Sequence, residues 1–159
     1  MEFRLFTLQI KGIFKKKIII SENEQPIYTV HPKGVLGNLL QFVSHTELPK
    51  MTIDKPTWYK NERVIYIENQ EASHFVPSEF TWNFGLESIY GNYHLTKDSI
   101  VKSVFTLSNS TTDIAKLSQK SVFKEVYGLA IHADEHIAFI LALMTYVIDR
   151  RKKQKEGAG

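Results

Sequence analysis

The stretch of sequence that decides the fold is DEHIAFILALMTYVIDRR, residues 134–151. It contains no proline and no glycine, and only Thr145 interrupts the apolar run from Ile137 to Ile148. A helix on a protein surface has one apolar stripe, whereas a helix that is apolar on every side has to be enclosed. Spanning a bilayer takes about 20 residues, so this shorter run predicts a buried core helix.

Charged residues at the two ends of this stretch support a helix over residues 134–151. Asp134 and Glu135 fall in its first turn, and Arg150 and Arg151 end it. Acidic side chains near a helix N-terminus and basic ones near its C-terminus match the helix dipole. The stretch therefore predicts one C-terminal helix.

Most of the chain before this helix is typical of short β-strands. The segments are rich in β-branched and aromatic residues and are separated by glycine, proline and asparagine turns. We count about ten such strands, although residues 35–43 fit either a bulged strand or a helical turn. The pattern loosens between Ser44 and Ser88. The strand segments cover residues 3–10, 13–20, 27–30, 63–67, 79–84, 88–95, 100–107, 113–118 and 122–129.

A closed sheet around the helix accounts for both the apolar helix and the many short strands, because it buries the helix and leaves no unpaired strand edges. We therefore predict a mainly β fold: a closed antiparallel barrel wrapped around one central hydrophobic helix. No proline- or serine-rich linker divides the chain. Residues 1–151 are expected to form a single domain, and residues 152–159 a basic, disordered tail.

A family resemblance lies in the residues before and within the helix. They read YGLAI at 127–131, then Asp134, and the helix ends VIDR at 147–150. This pattern resembles the C-terminus of the tubby-like superfamily, which includes the Tubby C-terminal domain, the phospholipid scramblases and the LURP-one-related proteins. Residues 24–30 and 114–120 resemble strand and turn units of the same family. The resemblance implies about twelve antiparallel strands around the helix.

The resemblance also implies a binding function, since Tubby domains bind phosphatidylinositol bisphosphate through basic side chains in a groove. Scramblases add a cysteine-rich palmitoylated segment and a calcium-binding stretch. This chain has no cysteine, so that lipid anchor is absent, and it shows no acidic loop with a calcium-ligand pattern. The expectation from the family is a non-enzymatic binding module without a cofactor.

Composition excludes several other classes of protein. The chain has 159 residues and no cysteine, which excludes disulfides, thiolate metal sites and a cysteine nucleophile. Its N-terminus lacks the pattern of a secretory signal, so we expect a cytoplasmic protein, peripheral to a membrane if attached to one. The formal net charge of +3 arises within residues 149–159. This distribution predicts a neutral barrel with a cationic segment at the end of its helix, not a nucleic-acid-binding domain.

Two basic clusters are the candidate anion- or lipid-binding residues. One is Lys15, Lys16 and Lys17, in a segment predicted as a strand, where Lys15 and Lys17 would share a face. The other follows the apolar part of the helix and contains Arg150, Arg151, Lys152 and Lys153. Basic residues near an anionic bilayer contribute up to about 1 kcal/mol each. The alternative interpretation is helix capping and solubility.

A remote alternative is a zinc site. His132, Glu135 and His136 fit the H-x-x-E-H string of inverted zinc peptidases, in which two histidines one helical turn apart hold zinc. That reading requires the helix to include His132, whereas Asp134 resembles a start signal. We therefore predict no catalytic or metal-binding residues.

Two functions remain open. The first is a tubby-like module that contacts an anionic membrane surface or a phosphoinositide-like headgroup. The second is a protein-interaction or inhibitory module that recognises a partner protein through loops between Ser44 and Ser88. Nucleic acid is not an expected partner, no transmembrane span is expected, and the sequence leaves the oligomeric state open.

Overall fold

The computed structural model describes residues 2–34, 37–100, 103–121 and 123–158. It contains twelve antiparallel strands in one sheet, followed by a single C-terminal helix. The elements are β1 (Phe3–Lys11), β2 (Lys17–Glu22), β3 (Gln25–Lys33), β4 (Leu39–Ser44), β5 (Met51–Asp54), β6 (Arg63–Ile67), β7 (Gln70–Phe75), β8 (Phe84–Ser88), β9 (Gly91–Lys97), β10 (Val104–Ser108), β11 (Asp113–Ser121), β12 (Val126–His132) and α1 (Ile137–Ala158).

The strands form a nearly closed barrel whose order is β7-β6-β5-β4-β3-β2-β1-β12-β11-β10-β9-β8. The first strand therefore pairs with the last, with Phe3 opposite His132. The two ends of the sheet, β7 and β8, lie side by side. There the Ile89 N–H donates to the Ala72 carbonyl at 2.9 Å, and the Ser73 hydroxyl donates to the Glu87 carbonyl. This seam closes the wall around the helix.

α1 occupies the barrel interior, as the sequence predicted. Every side chain from Ala138 to Asp149 is buried, and most of those between Phe139 and Ile148 have no exposed surface. The wall supplies the other half of this core because alternate strand residues point inward, as Tyr127, Leu129 and Ile131 of β12 do. The Thr145 hydroxyl in the helix interior is satisfied locally, since Thr145 Oγ1 donates to the Leu141 carbonyl at 2.7 Å.

The barrel has two open ends, or mouths, and α1 runs from one to the other. We call the mouth where α1 begins the entry mouth, and the mouth where it ends the exit mouth. Because the strands are antiparallel, loops after even-numbered strands lie at the entry mouth and loops after odd-numbered strands at the exit mouth. Two of the entry turns are two-residue hairpins with positive φ at both positions, Asn23-Glu24 and Glu68-Asn69.

The bounds of the helix differ from the prediction at both ends. It begins at Ile137 instead of Asp134, because β12 extends to His132 and a turn follows it. It continues through Ala158, so residues 152–158 form further helical turns where a disordered tail was expected. Lysine, arginine, glutamine and glutamate all favour helix, which explains the extension.

Several strands also differ from the sequence prediction. The predicted strand over residues 13–20 begins only at Lys17, and the one over residues 79–84 begins only at Phe84. Residues 44–88 contain four strands, β5 to β8, where the pattern was loose. Of the ambiguous residues 35–43, those from Leu39 onward form β4, and 35–36 lie outside the described residues. Val122, predicted to begin a strand, also lies outside them.

Candidate functional site: a basic groove at the exit mouth

A groove with a volume of about 920 Å³ lies at the exit mouth. Its floor and walls come from the β1–β2 loop, the ends of β2 and β3, and the last turns of α1. It is lined by Gly12, Ile13, Phe14, Lys15, Lys16, Lys17, His31, Pro32, Lys33, Gly34, Gly37, Lys152 and Glu156. The structure thus brings the first predicted basic cluster together with one residue of the second.

Most of the groove lysines have free ammonium groups. Within the described residues, Lys15, Lys17, Lys33 and Lys152 make no side-chain ion pair or hydrogen bond. Lys16 is the exception, because its Nζ lies 3.8 Å from Glu125 Oε1 and 3.6 Å from Glu156 Oε1. The free lysines give the groove an uncompensated positive charge.

The first basic cluster is not on a strand face, which corrects the prediction that Lys15 and Lys17 share one. Lys15 and Lys16 lie in the loop between β1 and β2, and only Lys17 belongs to β2. Gly12 explains the loop: its φ is +107°, and a Cβ at this position would lie 2.6 Å from the Lys15 carbonyl oxygen. The chain can turn this tightly only at a glycine.

His31 reports the positive character of the groove. Partial burial lowers the pKa of its imidazole, and the nearby charges of Lys33 and Lys17 lower it further. Like charges disfavour the protonated form. An anion bound in this groove would reverse part of that effect and favour protonated His31.

Arg150 and Arg151 both donate hydrogen bonds within the protein, and their binding of an anion stays a prediction. Arg150 donates to the carbonyls of Ser78 at 2.6 Å and Thr81 at 3.1 Å, and its guanidinium lies 4.0 Å from the Trp82 ring centroid. These contacts hold the β7–β8 loop against α1. Both of these hydrogen bonds come from Nη2 of the guanidinium, whereas its Nη1 is buried without a hydrogen-bond partner among the described residues.

Arg151 fastens the other side of the helix to the barrel wall. It donates to Gln119 Oε1 at 2.8 Å, to the Tyr127 hydroxyl at 2.9 Å and to Ser103 Oγ at 2.7 Å. Burial raises the pKa of Tyr127, and the adjacent Arg151 opposes that rise. Among the predicted helix-end residues, Lys152 alone lines the large groove.

Lys153 faces a second, smaller cavity of about 150 Å³ next to the groove. Its Nζ pairs with the buried carboxylate of Asp149 at 3.0 Å and donates to the Gly37 carbonyl at 3.1 Å. Arg63 also lines this cavity, and burial lowers its pKa. Burial raises the pKa of Tyr146 in the same wall, while the charges of Arg150 and Arg63 oppose that rise. The lining of this cavity carries three basic side chains, Lys55, Arg63 and Lys153, against the carboxylate of Asp149.

The H-x-x-E-H residues do not converge on a common point. His132 ends β12 and its Nδ1 accepts the Asp134 N–H at 3.2 Å. Glu135 Oε2 accepts the Tyr93 hydroxyl at 3.4 Å. His136 Nδ1 accepts the Phe139 N–H at 3.2 Å. The described part of the chain contains no group of three metal-ligating side chains placed to hold an ion.

Charge is separated along the barrel axis, which the sequence did not predict. The ends and turns of the strands at the entry mouth carry the acidic residues Glu2, Glu22, Glu24, Glu47, Glu68, Glu71, Glu87, Asp113, Asp134 and Glu135. Of the described basic residues, only Arg4 and Lys50 lie there, and Arg4 pairs with Glu22 at 2.8 Å. The barrel is neutral in total charge, as the sequence indicated, but its acidic and basic residues are concentrated at opposite mouths.

The exit mouth carries the opposite charge. Its described basic residues are Lys11, Lys15, Lys16, Lys17, Lys33, Lys55, Lys60, Arg63, Lys97, Lys120, Lys124, Arg150, Arg151, Lys152, Lys153 and Lys155. They outnumber the acidic residues there, which are Asp54, Glu62, Glu79, Asp98, Glu125, Asp149 and Glu156. Lys33 was not predicted as a binding residue, because it has no basic neighbour in the sequence. The antiparallel order of the strands, which places the end of β3 at the exit mouth, is the signal that could have identified it.

Comparison with known proteins adds no relative: no family model, curated protein or solved structure matches this chain. The class defined by fold and site is therefore a helix-filled antiparallel barrel with a basic groove at one mouth. No helix in the described part of the chain has the length and hydropathy of a membrane-spanning segment.

Proposed function

We propose that the protein is a non-enzymatic, tubby-like binding module that holds an anionic lipid headgroup in the basic groove. The observation that carries the proposal is the convergence of Lys15, Lys17, Lys33 and Lys152 without acidic partners. The family resemblance supports it, because it implies both a twelve-stranded barrel around a helix and a basic groove that binds phosphoinositide. The free lysines favour an anion of several charges, since each acts as an unpaired point charge.

Vesicle sedimentation tests this function. We expect the protein to sediment with phosphatidylcholine vesicles that contain phosphatidylserine or a phosphoinositide, less so as salt is added, and not with phosphatidylcholine alone. The double variant Lys33→Gln/Lys152→Gln should weaken binding about tenfold or more, because each lysine near the surface contributes about 1 kcal/mol.

The matched control is Lys50→Gln/Lys116→Gln, which removes the same charge from the entry mouth and from the outer wall. It should change binding by no more than about twofold. Equal losses in the two variants would show that net charge, not the groove, causes binding. Recovery of one stoichiometric protein partner without vesicle binding would favour the alternative, a protein-interaction module.

A further inference from the structure

Exposed apolar side chains are concentrated at the exit mouth. Six of them, which we call the apolar crown, occupy the tips of five separate loops and are each between 65% and 100% exposed. The apolar crown consists of Phe14, Trp58, Tyr59, Phe80, Ile100 and Phe123. Single exposed apolar residues are common on proteins, but a set gathered at one end is typical of an interaction surface.

The loops themselves place the crown in a ring. Phe14 follows β1, Trp58 and Tyr59 follow β5, and Phe80 follows β7. Ile100 and Phe123 lie in the loops after β9 and β11. Each of these strands is odd-numbered, so all five loops project from the same mouth, around the last turns of α1. The crown residues therefore all lie at one end of the barrel.

The entry mouth lacks a matching feature. Of the strongly exposed large apolar residues in the described chain, only Ile89 lies in a turn at that mouth. Its other turns carry polar and acidic residues, such as Asn23 and Glu24. The exit mouth is thus apolar at its loop tips and basic behind them, whereas the turns of the entry mouth are mainly polar and acidic.

This combination matches the interface of an anionic bilayer better than a protein surface. Tryptophan and tyrosine concentrate at the boundary between headgroups and acyl chains. Lysine side chains can extend past them to lipid phosphates, and Lys60 already lies 5.9 Å from the Tyr59 ring centroid. The acidic entry mouth would be repelled by the same anionic surface, so only one end can face it.

We propose that the exit mouth docks end-on onto an anionic lipid bilayer and that the apolar crown inserts into its interfacial layer. The inference rests on the proposed headgroup function of the groove, and it adds the orientation and the inserted residues. In this arrangement the barrel axis stands along the bilayer normal. The groove opens at the level of the headgroups, and the entry mouth faces the solvent.

The absence of cysteine from the chain allows an orientation test with single labels. Phe14→Cys, Phe80→Cys and Phe123→Cys each carry an environment-sensitive dye at the crown, and Ile89→Cys carries it at the entry mouth. On phosphatidylserine-containing vesicles, the crown dyes should shift to the blue and become protected from an aqueous quencher. The Ile89→Cys dye should remain exposed. A blue shift of the dye at Ile89→Cys would overturn the proposal. So would the absence of a shift from all crown dyes on protein that is bound to vesicles.

A second measurement separates this proposal from the function of the groove. The crown variant Trp58→Ser/Phe80→Ser/Phe123→Ser changes no residue that lines the groove. It should lose about tenfold or more in vesicle binding, yet it should bind soluble inositol hexakisphosphate within about twofold of the parent chain. The matched control is Leu5→Ser/Val43→Ser/Ile89→Ser, which removes exposed apolar residues elsewhere and should bind vesicles normally.

The possible results differ for the two hypotheses. If the crown variant binds vesicles as the parent chain does, while Lys33→Gln/Lys152→Gln does not, the insertion proposal is wrong and the groove function stands. If the crown variant loses vesicle binding and the lysine variant does not, insertion stands without the groove. A parent chain that binds a protein partner through the crown, and no vesicle, overturns the bilayer proposal.

Discussion

Arg151 and Lys152 are neighbours in the sequence but point to different surroundings. The Arg151 guanidinium has three side-chain partners on the barrel wall, whereas Lys152 lines the groove and has none among the described residues. Adjacent positions on a helix are about 100° apart, which is enough to place one against the wall and the other in the groove. Stability and binding should therefore depend on different members of this pair.

Substitution of the two residues in turn tests that separation. Arg151→Gln should lower the free energy of unfolding by about 2 kcal/mol, because hydrogen bonds from a charged group to partly buried acceptors are lost. Lys152→Gln should change it by less than about 0.5 kcal/mol but weaken vesicle binding. Urea unfolding and sedimentation of both variants provide the measurements. A Lys152→Gln variant that is as unstable as Arg151→Gln would contradict this division.

At the scale of one element, α1 depends on an unusual N-terminal cap. His136 Nδ1 accepts the Phe139 N–H, as serine or aspartate does at most helix starts. Its ring stacks on Tyr90 with centroids 3.6 Å apart, and Glu135 beside it accepts the Tyr93 hydroxyl. Burial lowers the pKa of His136. Protonation would remove the acceptor and place a positive charge at the positive end of the helix dipole.

The cap makes stability depend on pH. Because the pKa of His136 is lower in the folded protein than in the unfolded chain, the unfolded state binds the proton more readily. The stabilisation by the His136 cap is therefore present above a pH of about 6.5. It is lost as the pH falls through the lower pKa that His136 has in the folded protein. His31, whose pKa is also lowered, adds a slope of the same sign.

His136→Asn isolates the contribution of the cap, since asparagine accepts the same hydrogen bond and does not titrate. Its unfolding free energy should fall less between pH 7.5 and pH 5, two values spanning the ordinary histidine pKa of about 6.5, than that of the parent chain. The remaining slope includes the contribution of His31. Identical slopes in chemical denaturation of both proteins would rule out His136 as the source.

The helix could be predicted from sequence because its evidence is local, whereas the segment of residues 79–84 misled the strand prediction. Phe80, Trp82 and Phe84 alternate as strand residues do, but they face three surroundings. Phe80 is exposed, Trp82 packs against Phe105 and Arg150, and Phe84 is buried in β8. Alternation in sequence cannot distinguish one shared face from three separate contacts.

At the scale of the whole molecule, the groove depends on contacts between distant parts of the chain. Lys15 and Lys33 meet because β1, β2 and β3 are consecutive antiparallel strands. Lys152 joins them only because α1 crosses the full barrel. The two basic clusters were visible in the sequence, but the meeting of the first cluster with Lys152 and the separation of charge between the mouths required the strand order. The binding function remains a proposal.

The wall of the barrel is weakest at its seam. Neighbouring strands elsewhere pair in ladders, such as the seven residue pairs between β1 and β12. At the seam, the Ile89 N–H in the turn after β8 donates to the Ala72 carbonyl of β7, and the Ser73 hydroxyl donates to the Glu87 carbonyl. Regions with few backbone bonds open at lower free energy. Local opening should therefore begin between β7 and β8.

Hydrogen exchange followed by mass spectrometry tests this expectation. Peptides covering β7 and β8 should exchange faster than those covering β1 and β12. Each 1.4 kcal/mol of difference in opening free energy corresponds to about a tenfold difference in exchange rate. Peptides from the centre of α1 should be the slowest. Earlier exchange at the β1–β12 ladder would place the weak point at the junction of the first and last strands instead.

The position of α1 after all twelve strands has a consequence for biosynthesis. A ribosome makes the wall of this barrel before it makes the helix that fills it, and the strand that closes against β1 is also among the last. Every earlier nascent chain exposes inward-facing residues such as Leu8, Ile20 and Phe42, which are buried in the finished protein. Folding must therefore await the helix, and until then the growing chain depends on protection from aggregation.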